Sequence, residues 1–211
     1  MRTLFMPKEL IAGYARFRDG YFKDNRARLE ALAAGQSPRI CLVSCCDSRV
    51  DPSTVFDAHP GELFVVRNVA NLVPPCEDDG TFHGTSAALE FAVTGLNVQH
   101  IVVLGHAQCG GIRALVDKDP DSANGSFIDH WMSIAEPVRE TLDADPDAKG
   151  EARYAACEKH SVAHSLHNLM SYPWIKSRVE DGALTLHGWH YDLAGGALSI
   201  LDADSKEFLP A

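Results

Sequence analysis

The sequence predicts an α/β fold, a mostly parallel central β-sheet flanked by helices, with an N-terminal helical arm. Three observations carry that prediction. Short apolar runs alternate along the chain with segments of helical periodicity, as strand–helix–strand units do. The clearest run, Ile101-Val102-Val103-Leu104, is continuous rather than alternating, which suits a parallel strand covered on both faces. The first helical segment precedes every strand, so it stands apart from the α/β pattern as an arm.

Taken in order, residues 7 to 34 place Leu10, Ile11, Tyr14, Phe17, Tyr21 and Phe22 at spacings near three and four, an amphipathic helical arm broken near Gly20. Gly35-Gln36-Ser37-Pro38 punctuates the chain, which gives an arm over 1–36 and a single α/β domain over 37–211. Arg39 to Ser44 reads as a buried strand that ends where polar residues begin at Cys45, and Glu62 to Arg67 as a second strand after Pro60-Gly61. Residues 84 to 95 read as a helix whose Gly84, Ser86, Ala87 and Ala88 allow close packing on a sheet. The strand at 100–105 is followed by a helix from about Gly111, then by a polar, Asp-rich surface excursion over 117–150. A helix over 151–170 and a late strand pair, Ala183–Leu186 with Ala197–Leu201, complete the pattern.

The chain of 211 residues is long enough to bury a full core, and 45% hydrophobic with 23% charged residues is an ordinary globular balance. Twenty-nine acidic against nineteen basic residues, with no Lys/Arg cluster, argue against nucleic acid as a partner. No apolar run approaches the roughly 18 residues a membrane helix needs, and Met1 to Leu10 carries a proline and charges where a signal peptide has its apolar stretch. The expected location is cytoplasmic, where the six cysteines remain thiols and those beside His and Asp serve a metal or chemistry rather than disulfides.

Three clusters fall at the carboxyl ends of predicted strands, where open α/β sheets place their sites: Cys45-Cys46-Asp47-Ser48-Arg49, Arg67 to Asn71, and Gly105 to Gly111. His106 and Cys109, three residues apart at a helix start, turn toward one point, and one thiolate from a neighbouring strand end makes a Cys2His set. Such a set leaves the fourth tetrahedral position open, as catalytic rather than structural zinc sites do. Gly110 and Gly111 allow backbone amides to approach thiolate sulfurs or a bound substrate. Asp47 and Arg49 project to the same side of a short segment, so the Arg fork holds the carboxylate ionised.

Cys45-x-Asp47-x-Arg49, with His106-x-x-Cys109 sixty-one residues after Cys45, resembles the β-class carbonic anhydrases. Gly35 to Pro38, Pro60-Gly61-Glu62, Phe64 to Asn71, Val73-Pro74-Pro75 and Gly105 to Ile112 resemble the plant-type branch, and the likeness covers about residues 8 to 202. The resemblance implies one Zn2+ per chain held by Cys45, His106 and Cys109, at the interface of a homodimer or homotetramer whose arms embrace the partner subunit. It implies hydration of CO2 to bicarbonate by a zinc-bound hydroxide, with Asp47 and Arg49 catalytic. Gln36, Phe64, Val69, Phe91 and Gly110 are then the substrate-binding residues. Cys46 occupies the variable position of the motif; only Cys45 has the required spacing to Asp47 and Arg49, and alternate side chains of extended backbone point oppositely.

Leu42 stands where the bicarbonate-regulated branch carries a tryptophan. Arg67 and Tyr191 match the other two members of that inhibitory pocket, so it is incomplete and no bicarbonate regulation is expected. Phe91 stands where a tyrosine is common. A same-fold alternative is hydrolysis of carbonyl sulfide or carbon disulfide; a non-catalytic zinc-stabilised module is another, weakened by Gln36, Asp47 and Arg49. The His-x-Glu and Pro-Cys-x-x-Cys signatures of the zinc deaminases are absent. His160, His164 and His167 share a helix face and are read as solvated, Cys157 as a buried thiol, and His59, His83, His187 and His190 carry no signal.

Overall fold

The computed structural model describes residues 7–77, 79–118, 125–143 and 149–211, so residues 1–6 of the N-terminal stretch read for a signal and parts of the Asp-rich tract lie outside them. Contacts divide the chain into two compact units, Met1–Gln36 and Ser37–Ala211. The first holds three helices, α1 (Lys8–Asp19), α2 (Tyr21–Asp24) and α3 (Arg26–Ala33), interrupted at Gly20 and Asn25. None of their residues is buried; Leu10, Ile11, Tyr14 and Phe17 are exposed, and Phe17 stacks on Tyr14 and Tyr21.

The second unit is built on a six-stranded sheet in the order β2-β1-β3-β4-β5-β6. β1 (Ile40–Cys45), β2 (Leu63–Asn68), β3 (His100–His106) and β4 (Thr185–Tyr191) run parallel, while β5 (Leu198–Leu201) and β6 (Phe208–Pro210) add an antiparallel edge. From β1 the chain goes first to one side, to β2, and then to the other, to β3. The carboxyl ends of β1 and β3 therefore flank the switch in strand order, where such sheets form a crevice.

Alternation along the strands sorts the core. Cys41, Val43, Ile101 and Val103 face one side with Val162 and Leu169 of α9 (Gly150–Leu169), while Leu42, Val102 and Leu104 face the other with Val50 and Trp189. Between β1 and β2 lies the short α4 (Pro52–Val55), whose first-turn amide at Thr54 is capped by the Asp51 carboxylate. The helix expected over 84–95 is α5 (Gly84–Glu90) running into a wider π turn over Phe91–Gly95. The helix after β3 is α6 (Gly110–Val116), starting one residue earlier than expected.

Two expectations are corrected. The tract over 117–150 is not merely an excursion: its described part forms α7 (Phe127–Met132) and α8 (Glu136–Asp143), and Met132, Ala135, Val138 and Leu142 are buried in a cluster with Cys45 and Cys109. Those positions lie three and four apart, a single helical stripe diluted by acids in the sequence. The late strand does not stop at Leu186 but runs to Tyr191 as β4, through His187, Gly188 and His190, which lack the apolar signature of a strand. α10 (Pro173–Glu180), opened by a proline at its first position, and β6 were not anticipated.

Candidate metal centre

Cys45 is the last residue of β1, His106 the last of β3, and Cys109 caps the start of α6, so the strand-order switch brings the three together. They are 5%, 1% and 1% exposed, and one ligand atom from each lies within 4.8 Å of the others. His106 Nδ1 lies 2.9 Å from the Ala107 carbonyl. A carbonyl only accepts, so Nδ1 carries the proton and Nε2 keeps a bare lone pair. Nε2 is buried without a hydrogen-bond partner, an expensive arrangement unless something binds it.

The sulfurs are equally prepared. The Cys45 thiol is pulled down to about 4, chiefly by the Cys109 thiol donating to it, with the amides of Asp47 and Ala70 assisting against the effect of burial. Cys109 is pushed up by the Cys45 thiolate and by burial, while the amides of Ile112 and Gly111 favour its ionised form. One thiolate, one thiol sharing its proton and one bare imidazole nitrogen form a buried, soft donor set converging on a point, which fits Zn2+ on three corners of a tetrahedron.

Both loops feeding this point hold non-glycine residues in the left-handed region: Ala70 (φ 62) and Asn71 (φ 49) after β2, and Gln108 (φ 56) after β3. Such backbone persists only where the surroundings over-determine it. The turn at Val69–Asn71 is tied by Trp131 Nε1 donating to the Val69 carbonyl at 2.7 Å, and packs on Gly111, where a Cβ would meet Val69 Cγ1 at 2.8 Å. Gly111 is thus required for close approach, as its neighbourhood to Cys109 demands.

Asp47 sits at the rim. Arg49 grips it with Nε to Oδ1 at 3.0 Å, Nη2 to Oδ2 at 2.7 Å and its backbone N–H to Oδ1 at 2.9 Å. The Arg49 guanidinium holds the Asp47 carboxyl well below the usual carboxylate range. Arg49 Nη2 also donates to the Gln108 carbonyl at 3.0 Å, tying the rim to the second ligand loop. Cys46, by contrast, is exposed, and Cys45 alone of the adjacent pair belongs to the converging group.

The other expected site residues divide. Val69 packs in the cluster that holds Cys45 and Cys109, and Gly110 is next to Cys109. Phe64 and Phe91 contact each other at 5.9 Å between ring centres, but Phe64 pairs in register with Cys41. That is four residues from Cys45, roughly 13 Å along the strand. These rings are not beside this chain's own ligands. Gln36 ends the first unit. Sequence reasoning missed Glu158 and His190: Glu158 Oε1 accepts the Cys109 N–H at 3.0 Å, and Oε2 lies 3.2 Å from His190 Nε2. Arg67 donates to the carbonyls of Cys45, Asp47 and Val50 and pairs with Asp51, so it fastens the loop after β1.

The carbonic anhydrase family model matches residues 40–198. A β carbonic anhydrase of Arabidopsis thaliana, described as chloroplastic, is 41% identical over 177 residues; the match takes in 83% of this chain and 58% of that relative's length. Among solved structures, the β-carbonic anhydrase CcaA superposes with a TM-score of 0.88 at 33% identity, covering 97% of this chain and 91% of that one. A structure from a study of two tetrameric β-carbonic anhydrases of Sordaria macrospora gives 0.80 at 30% identity, over 93% and 96% of the two chains. With the converging sulfurs and imidazole, the Asp–Arg pair and the strand-order switch all in the region these matches cover, the chain belongs to the β-carbonic anhydrase family.

Proposed function

We propose that the chain catalyses the reversible hydration of carbon dioxide to bicarbonate and a proton, with Zn2+ held by Cys45, His106 and Cys109. The observation that carries the reading is the buried, partnerless His106 Nε2 facing two sulfurs beside a carboxylate locked by arginine. A dication held by these three residues would acidify a bound water and so supply a nucleophilic oxygen. Asp47, ionised and acceptor-only, would accept a hydrogen bond from the O–H of that oxygen and so turn a lone pair toward the carbon of CO2. Arg49 occupies both carboxylate oxygens and keeps them off the metal position. Two thiolates offset the charge of a dication, so the water is acidified less than in a three-histidine site and hydration rises toward alkaline pH.

Val69 supplies part of an apolar wall for a nonpolar gas. Phe64 and Phe91, distant from their own ligands, line the equivalent site of a second copy, with Gln36 donating its amide to a substrate oxygen. On this reading the working unit is a homodimer or tetramer of plant-type organisation in the cytoplasm; among the described residues no helix is long and apolar enough to cross a membrane. Regulation by bicarbonate is not part of it. Leu42 is 1% exposed within an aliphatic cluster, and the Arg67 donors are committed to backbone carbonyls and Asp51.

Stopped-flow CO2 hydration with a pH indicator, on zinc-loaded and chelator-stripped protein, tests the proposal. Activity that follows zinc and rises with pH is expected. Turnover of carbonyl sulfide with none of CO2, or zinc binding with neither, would overturn it.

A further inference from the structure

Behind the ligands lies a buried acid–base pair that the chemistry above leaves unused. Glu158, on the inward face of α9, is 4% exposed, and His190, on β4, is 7% exposed. A carboxylate only accepts, so His190 carries its proton on Nε2 and donates to Oε2, while Cys109 N–H donates to Oε1. That N–H belongs to the same peptide unit as the Gln108 carbonyl, which accepts from Arg49. One peptide plane is thus gripped at both ends, from the rim by the guanidinium that holds Asp47 and from the interior by Glu158. Gln108 at φ 56 shows that this plane is held where a residue with a side chain does not relax by itself. Gly105 makes the reach possible: a Cβ there would meet Val162 Cγ2 at 2.6 Å and lie 3.6 Å from both the Glu158 carbonyl and His190 Cδ2, so its absence seats α9 at this depth.

We infer that Glu158 is a positioning residue for the metal centre: backed by His190, it fixes the Gln108–Cys109 peptide and through it both the aim of the Cys109 sulfur and the seat of Arg49 on Asp47. The inference rests on the reading of Cys45, His106 and Cys109 as metal ligands. Reach, rather than charge, is what the geometry requires. Glu158→Gln keeps an oxygen for Cys109 N–H and offers an amide donor to His190, whose ring then protonates at Nδ1. Glu158→Asp keeps the charge but is one methylene short of spanning both partners, and Glu158→Ala removes the acceptor.

The test loads wild type and the three variants with Zn2+ or Co2+, follows metal release to a chromogenic chelator, and records the cobalt absorption bands, which read ligand geometry. Glu158→Gln should release metal within about threefold of wild type with unchanged bands, and the Asp and Ala variants about 10- to 100-fold faster with altered bands, their apo forms remaining folded by circular dichroism. Wild-type release from the Asp and Ala variants would overturn the inference. So would a Gln variant as leaky as Ala beside an intact Asp variant, which would make charge the agent. Where Ala does not fold, the Asp variant decides; an unfolded apo Asp variant would assign Glu158 to maintenance of the fold and overturn the positioning role. Wild type that takes up no metal would overturn the ligand reading itself, visibly before any variant is made.

Discussion

Asp47 gains its character chiefly from Arg49: bidentate contact and the Arg49 amide keep it ionised far into acid. The sign matters for the pH profile. A carboxyl held below its ordinary value protonates only at still lower pH, so no loss of activity near neutrality is expected from Asp47, and on the proposed reading the expected rise toward alkaline pH is that of the attacking water. Asp47→Asn should keep most of the zinc yet lose hydration activity at neutral pH by about 10²-fold or more, the scale of a lost proton-accepting group. Metal analysis beside stopped-flow measures both; full activity with full zinc would remove Asp47 from the mechanism. At this scale the converging group was legible, because Cys45 and His106 end β1 and β3, Cys109 caps α6, and the parity of extended backbone separates Cys45 from Cys46. Glu158 and His190 were not, since Glu158 meets Cys109, and His190 meets Glu158, through tertiary packing of α9 and β4 and with no common spacing.

The depth of α9 against β3 and β4 is set by two glycines, and its inward face is unusually polar: Glu158, Ser165 and Asn168 are buried, with Ser165 and Asn168 fastening the backbone of Val73. That polarity explains why periodicity found the helix but not its purpose. Gly188→Ala would press a methyl against Leu166 Cδ1 at 2.9 Å and Val162 Cγ1 at 3.0 Å. Overpacking of this kind costs about 1–3 kcal/mol. The expected result is a melting temperature lower by about 2–4 °C per kcal/mol, read by calorimetry, with zinc stoichiometry unchanged. An unshifted transition would show that α9 backs away freely. Strands β1 and β3 were legible from continuous apolar runs; β4 was not, because its buried positions, Gly188 and His190, carry no apolar signal.

Over the whole molecule, apolar surface remains uncovered in both units. Leu10, Ile11 and Tyr14 on α1 are 70%, 46% and 58% exposed, and Phe91 beside edge strand β2 is 51% exposed. A chain that leaves such residues in water associates, so sedimentation at micromolar concentration should give a dimer or tetramer; a monomer would contradict the shared substrate wall. The sequence order of the ligands has a consequence in time. Cys45 leaves the ribosome beside Cys46, sixty-one residues ahead of His106. At about 5–20 residues per second, the two adjacent thiols wait roughly 3–12 s before β3 is made and the pocket closes over one of them. The chain is therefore most vulnerable to oxidation and to capture of the wrong metal while it is being synthesised, and the yield of competent protein should depend on the thiol reductant present during translation rather than on that added afterwards.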